Sequence, residues 1–189
     1  MKTSSSNDLG SLADFVVNMI IQTDYPGFEP RSFRIGLTEE QMKSSSKLFA
    51  EALGHESVYV KLAALRWFQE KAGAIKPHLK AVMGLLDWPD EWVRMEVVIT
   101  LERYHHPSPE IAQAIAVLLD DEFPLVRREA AKALGKILHK LNENSKGSSQ
   151  NEVLMAVVQK LKTSMVEDKD AQVRQKAEKA LRKSGAYSG

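Results

Sequence analysis

Two stretches of the chain repeat one pattern. Residues 86–94 read LDWPDEWVR and residues 119–127 read LDDEFPLVR, and each runs into a helical spacing of apolar residues. Val93 and Val126 occupy the same place in the two copies and lie 33 residues apart. A weaker copy stands 33 residues earlier, and another follows after 47 residues. A fixed period of this length is typical of stacked helical repeats, so it indicates a repeat protein.

Apolar residues recur at helical spacing between turn signals and predict four helical hairpins. We expect the hairpins at about residues 38–73, 76–106, 108–141 and 152–184. Residues 142–151 are rich in Ser, Asn and Gly and are predicted to be a flexible insertion, which accounts for the longer interval. Because one hairpin cannot bury its apolar face alone, the hairpins must stack. The chain is therefore predicted to be all-α.

Residues 1–37 precede the repeats. Ser11 and Asp14 form a capping-box pattern, and an apolar stripe runs from Leu12 to Ile20. A connector rich in Pro and Gly follows. We expect an N-terminal helix and connector that either caps one end of the repeat domain or covers its groove, and the sequence leaves both open.

Composition excludes several classes of protein. The 189 residues carry a net charge of +1, so no field of the whole chain favours nucleic acid or an anionic membrane. There is no cysteine, which excludes a disulfide framework, a thiol nucleophile and a Cys-based zinc site. No apolar run of about 18 residues occurs, and the polar N-terminus lacks the apolar core of a signal peptide. We therefore expect a cytoplasmic protein.

The repeats resemble HEAT repeats, in particular the short HEAT-like repeats first noted in phycobilisome lyase proteins. The shared pattern is Leu-Leu-Asp, a short turn, Val-Arg, then Ala and Leu at helical spacing. Residues 118–135 match it almost throughout and residues 85–94 match well, whereas residues 166–174 and 53–61 match less completely. The resemblance covers residues 38–184 and implies a right-handed α-solenoid, an armadillo/HEAT-like superhelix. It does not specify a function, because function lies in sites on a fold.

The resemblance also implies a structural ladder, in which a cation after each repeat's valine ties one turn to the next. The cations are Lys61, Arg94, Arg127 and Arg174, and the expected acids are Asp87, Asp120 or Asp121, and Asp168. We interpret this column as structural rather than as an active row of cations.

HEAT solenoids place the second helix of each hairpin on the concave side, so helical spacing indicates which side chains line the groove. The groove is expected to be apolar in its N-terminal half and basic in its C-terminal half. The expected groove residues are Leu62, Arg66, Met95, Ile99, Arg103, Arg128, Lys132, Lys136, Lys179 and Lys183. Trp88 and Trp92 flank the first strong turn, where they either anchor a partner or pack against the neighbouring turn.

No catalytic, metal or cofactor site is indicated. The chain lacks a Gly-rich phosphate loop and paired catalytic carboxylates at a recognisable spacing. HEAT-repeat deoxyhypusine hydroxylases carry His-Glu pairs just after the Val-Arg-like position, but Met95-Glu96 and Arg128-Glu129 stand there in this chain.

The predicted function is a non-enzymatic protein–protein adaptor that binds a partner helix or an acidic segment in the groove. One alternative is a nucleic-acid binder or DNA-modifying protein that uses the basic half. Another is an auxiliary protein similar to phycobilisome lyases. The sequence indicates neither the partner's identity nor the oligomeric state.

Overall fold

The computed structural model describes residues 39–144 and 152–186, and all regular structure in this part of the chain is helical. The helices are α1 (Glu39–Ala52), α2 (Val58–Glu70), α3 (Leu79–Met83), α4 (Glu91–Arg103), α5 (Pro109–Val117), α6 (Pro124–Asn144), α7 (Glu152–Glu167) and α8 (Ala171–Ser184). The predicted all-α class is confirmed. The predicted N-terminal helix and connector lie outside the described residues, so the proposed division at residues 37 and 38 stays a prediction.

The chain divides into two compact units, residues 1–81 and 82–189. In the described part of the first unit, α1 packs on α2 through aromatic rings. The ring of Phe49 stacks on that of Trp67 with centroids 4.6 Å apart, and Phe68 meets Trp67 edge-on at 5.1 Å. Phe49 and Phe68 are at most 3% exposed, so this cluster is the core of the hairpin.

The first helix of the second hairpin is short. Within the hairpin predicted at residues 76–106, α3 covers only Leu79–Met83 and follows two short 3-10 turns. Pro77 lacks the N–H that would continue a helix from the preceding residues. Gly84 follows α3 directly, and glycine loses more backbone entropy in a helix than other residues do.

The described part of the second unit has two helical layers. α4, α6 and α8 lie side by side in that order, and α5 and α7 pack together against α6 and α8. The core between them is aliphatic. Its fully buried side chains include Val97, Leu101, Leu134, Leu161 and Leu181.

α6 and α8 approach each other closely at Gly135. A Cβ atom on Gly135 would lie 2.6 Å from the Cα and 2.8 Å from the Cβ of Ala180. These distances are shorter than carbon atoms tolerate, so only glycine fits here without a movement of one helix.

α6 extends to Asn144, into the stretch predicted to be a flexible insertion. Leu141 is 8% exposed, and the Asn142 side chain donates a hydrogen bond of 2.7 Å to the carbonyl of Ser184. That carbonyl belongs to the last turn of α8, where backbone acceptors lack partners within the helix. A tertiary contact therefore overrides the local preference of asparagine for a turn.

Within the described ranges, no helix is both long and apolar enough to cross a membrane.

Candidate functional site

Arg94 connects two successive turns of the second unit. Its Nε and Nη2 atoms donate to the two carboxylate oxygens of Asp121 at 2.7 and 3.0 Å. Its Nη1 atom donates to the carbonyls of Trp88 and Pro89 at 2.7 and 2.8 Å. One guanidinium thus donates hydrogen bonds to two carbonyls of its own turn and binds the carboxylate of the next turn in a bidentate manner.

Arg127 repeats this arrangement one hairpin later. It donates to both oxygens of Asp168 at 2.8 and 2.9 Å, and to the carbonyls of Asp121 and Glu122. The sequence left open whether Asp120 or Asp121 is the acid of this turn that binds the arginine of the preceding repeat. Asp121 is that acid, since it binds Arg94. Asp120 is 73% exposed at its side chain and instead pairs with Lys160 at 2.7 Å.

The outer members of the expected ladder make simpler contacts. Arg174 donates to the carbonyls of Asp168 and Lys169, and Lys61 donates to the carbonyl of Leu53 at 2.7 Å. Asp87 is exposed.

The surroundings of Asp168 favour the ionised form of its carboxyl group. Burial by itself would raise the pKa of this carboxyl group. The hydrogen bonds from Arg127 and from the backbone N–H of Asp170, with the charges of Arg127 and Arg174, outweigh burial and lower the pKa below its ordinary value of 3.8. The ionised form therefore stabilises the fold above that value, and this contribution is lost as the pH falls through the lowered pKa.

An open cavity of about 740 Å³ lies beside these contacts. The residues that line it belong to the two turns at residues 119–124 and 167–170, together with Arg127. Its acids Asp121 and Asp168 already bind Arg94 and Arg127, so the cavity is the outer surface of the ladder. In the described part of the chain, no group of His, Asp and Glu has the arrangement of a metal site.

A second set of side chains forms what we name the second-helix face of the second unit. It consists of Trp92, Met95, Ile99 and Arg103 on α4, Arg128, Lys132, Lys136 and Lys140 on α6, and Lys179 and Lys183 on α8. The α6 members recur every four residues along its length and are half-buried, whereas the positions between them are largely core. A spacing of four residues keeps side chains on one side of a helix, so these cations form a continuous ridge.

Several of the predicted groove cations have partners within the protein. Lys132 pairs with Glu129 at 2.7 Å, Lys136 pairs with Glu102, and Arg128 contacts the side chain of Gln172. Lys179 and Lys183 are exposed and have no acidic partner among the described residues.

Sequence reasoning missed Glu102. Glu102 lies on α4 and is 8% exposed, and its carboxylate forms an ion pair with the ammonium group of Lys136 on α6. The repeat period contained a usable signal, because the residue 33 positions after Glu102 is Gly135, the neighbour of Lys136.

The apolar members of the face are partly accessible. Trp92 is 50% exposed, and Met95 and Ile99 are half-buried on the same helix. Trp88 is half-buried in the turn, where its carbonyl binds Arg94. Leu62 is half-buried and Arg66 is exposed, but both belong to the first unit. The predicted groove that joins Leu62 to Met95 stays a prediction.

Comparisons with known proteins agree on the repeat type. The family model for HEAT repeats matches residues 85–182, about half of the chain. An engineered protein of known structure is 21% identical with a TM-score of 0.56, and the match covers 79% of this chain and 69% of that chain. A designed armadillo repeat protein is 16% identical with a TM-score of 0.50, over 94% of this chain and 86% of that chain. At these identities the likeness concerns the fold alone. No curated protein matches the sequence significantly.

Proposed function

Because this chain belongs to the HEAT-repeat family, we propose that it is a non-enzymatic protein-binding scaffold. The second-helix face of the second unit takes an acidic segment of another protein. The observation that carries this proposal is the ridge of cations along α6, flanked by the exposed Lys179 and Lys183 of α8.

The close approach of α6 and α8 supports a binding role for these cations. The contact between Gly135 and Ala180 brings the α6 ridge next to the lysines of α8. Glu129 and Glu102 already neutralise Lys132 and Lys136, whereas Lys179 and Lys183 have no acidic partner among the described residues. A carboxylate-rich partner pairs with these two lysines, and its attraction to them raises its rate of association.

The test is the binding of a fluorescently labelled oligoglutamate peptide to the full chain, measured by anisotropy at low salt. The double variant Lys179→Glu, Lys183→Glu is expected to weaken binding about tenfold, because two attractive charges become repulsive. The control Lys162→Glu, Lys169→Glu changes the net charge equally, but it alters exposed lysines of α7 and of the turn before α8. Equal losses in both double variants would show attraction to net charge only and would contradict the proposal.

A nucleic acid is the competing ligand for the same cations. A single-stranded oligonucleotide of equal charge, titrated in the same assay, separates the two. Tighter binding of the oligonucleotide, with affinity falling steeply with salt as phosphate contacts require, would favour the nucleic-acid alternative instead.

A further inference from the structure

We infer that the partner segment is an acidic amphipathic helix that lies lengthwise along α4 and α6. Its apolar side chains contact α4, and its carboxylates contact α6. This inference rests on the proposed function and specifies the chemistry and the direction of the occupant.

Two ion pairs show that α4 and α6 run side by side in the same direction. At their beginnings, Arg94 of α4 binds Asp121, three residues before α6. At the other end of α4, Glu102 binds Lys136 of α6. Two helices joined at both ends of the shorter one lie side by side, so a row of side chains on α4 runs alongside the corresponding row on α6.

The two rows differ in chemistry. The α4 row begins with Trp92, Met95 and Ile99, which are apolar and follow the spacing of one helical stripe, and it ends with Arg103. The α6 row is the cationic ridge from Arg128 to Lys140. At 1.5 Å per residue, the apolar part of the α4 row is roughly 10 Å long and the α6 row roughly 18 Å long. The face is therefore divided lengthwise into an apolar strip and a basic strip.

A helix fits this division better than an extended segment does. An extended chain that crosses the helices meets one apolar side chain and then only cations, so it uses little of the α4 row. A helix laid along the rows presents one apolar stripe to Trp92, Met95 and Ile99 and a flanking line of carboxylates to the basic strip. Lys132 and Lys136 of that strip pair with Glu129 and Glu102, but their side chains remain 38% and 40% exposed. Amphipathic helices bind grooves in this manner through anchors at positions i, i+3 or i+4, and i+7.

Trp92 is the expected main anchor. It is 50% exposed and stands at the first turn of α4. Tryptophan has few rotatable bonds to immobilise on binding and buries a large area. It is therefore common among the residues that dominate interface energies.

The experiment compares three designed helical peptides of about 18 residues, or roughly five turns. The first has a Leu stripe with Glu residues along one flank, and the second has the same composition with Glu on the face opposite the Leu stripe. The third replaces each Glu of the first peptide with Lys. We expect the first peptide to bind the full chain at least about tenfold more tightly than either of the others, because it alone matches both rows.

Variants of the protein locate the apolar contact. Trp92→Ala is expected to weaken the first peptide about tenfold, within the range of truncated interface anchors, and to leave oligoglutamate binding unchanged. Met155→Ala is the matched control, because Met155 is 51% exposed but lies on α7, in the other helical layer.

Equal affinities for the first two peptides, or no effect of Trp92→Ala, would overturn the inference. If oligoglutamate still binds and still depends on Lys179 and Lys183, the proposed function survives that result. If no acidic peptide binds, the proposed function itself fails.

Discussion

Arginine rather than lysine occupies the ladder position in three of the four repeats. The geometry of its hydrogen bonds explains why arginine suits this position better than lysine. The guanidinium of Arg94 donates to two carbonyls of its own turn while two further N–H groups bind Asp121. The planar fork of arginine allows these contacts at once, whereas the single ammonium of lysine does not reproduce them. Lys61, which occupies this position in the first unit, donates to the carbonyl of Leu53.

The first prediction compares Arg127 with Arg174. Arg127→Ala leaves the carboxylate of Asp168, 6% exposed at its side chain, without its bidentate partner, so we expect a loss of about 3 kcal/mol in the free energy of unfolding. Arg174→Ala removes hydrogen bonds to two carbonyls and is expected to cost about 1 kcal/mol. Urea denaturation followed by circular dichroism measures both. Equal costs would mean that the bond to Asp168 adds nothing beyond turn capping.

Among the helices, α6 is the one on which the second unit depends most. It contacts α4 on one side and α8 on the other, and α5 also packs against it. Small residues make this possible, since Ala130, Ala131 and Ala133 are at 0% exposure and Gly135 lies against Ala180. The side of α6 left to solvent is narrow and carries the cationic ridge.

The second prediction concerns Gly135→Ala. Alanine is favoured over glycine inside a helix by about 1 kcal/mol, but the new Cβ would meet the Cα and Cβ atoms of Ala180. Because a backbone atom cannot move without its helix, we expect a net loss of about 1–3 kcal/mol. Gly73→Ala is the control, since its Cβ would have no neighbour within 4 Å, and it should be neutral or slightly stabilising. A stabilised Gly135→Ala variant in thermal or urea unfolding would show that α6 and α8 adjust freely.

At the scale of the whole molecule, stability is expected to be local. In a repeat protein each hairpin contacts mainly its neighbours, so the free energy is close to a sum of hairpin terms and interface terms. The described part of the second unit follows this rule, because Arg94 and Arg127 each tie one turn only to the next.

The third prediction follows from that locality. Arg127→Ala should accelerate amide hydrogen exchange in α7 and α8 more than in α4, because it weakens the connection of the last hairpin. Arg94→Ala is the mirror variant and should accelerate exchange mainly in α4. Mass spectrometry of peptic fragments measures both patterns. The same uniform acceleration in both variants would instead indicate that the second unit opens as one cooperative body.

The helical class and the repeat type follow from the order of the amino acids, because the 33-residue period and the apolar spacing are local properties of the chain. The same spacing indicated the hairpin at about residues 108–141 and the basic character of its second helix. It did not indicate how short α3 is or that α6 continues to Asn144. At α3, Pro77 and Gly84 outweigh the apolar pattern, and at the end of α6 the bond from Asn142 to Ser184 outweighs the turn preference.

The packing of the helices sets which side chains meet. The choice of Asp121 over Asp120, the pairing of Glu102 with Lys136, and the contact of Gly135 with Ala180 each join residues at least 27 positions apart. The rotation of one helix against the next sets these contacts, and a change of one position in the chain turns a side chain by about 100°. A repeat period gives the register of the hairpins, whereas the packing of α6 between α4 and α8 decides which side chains touch and which face the solvent.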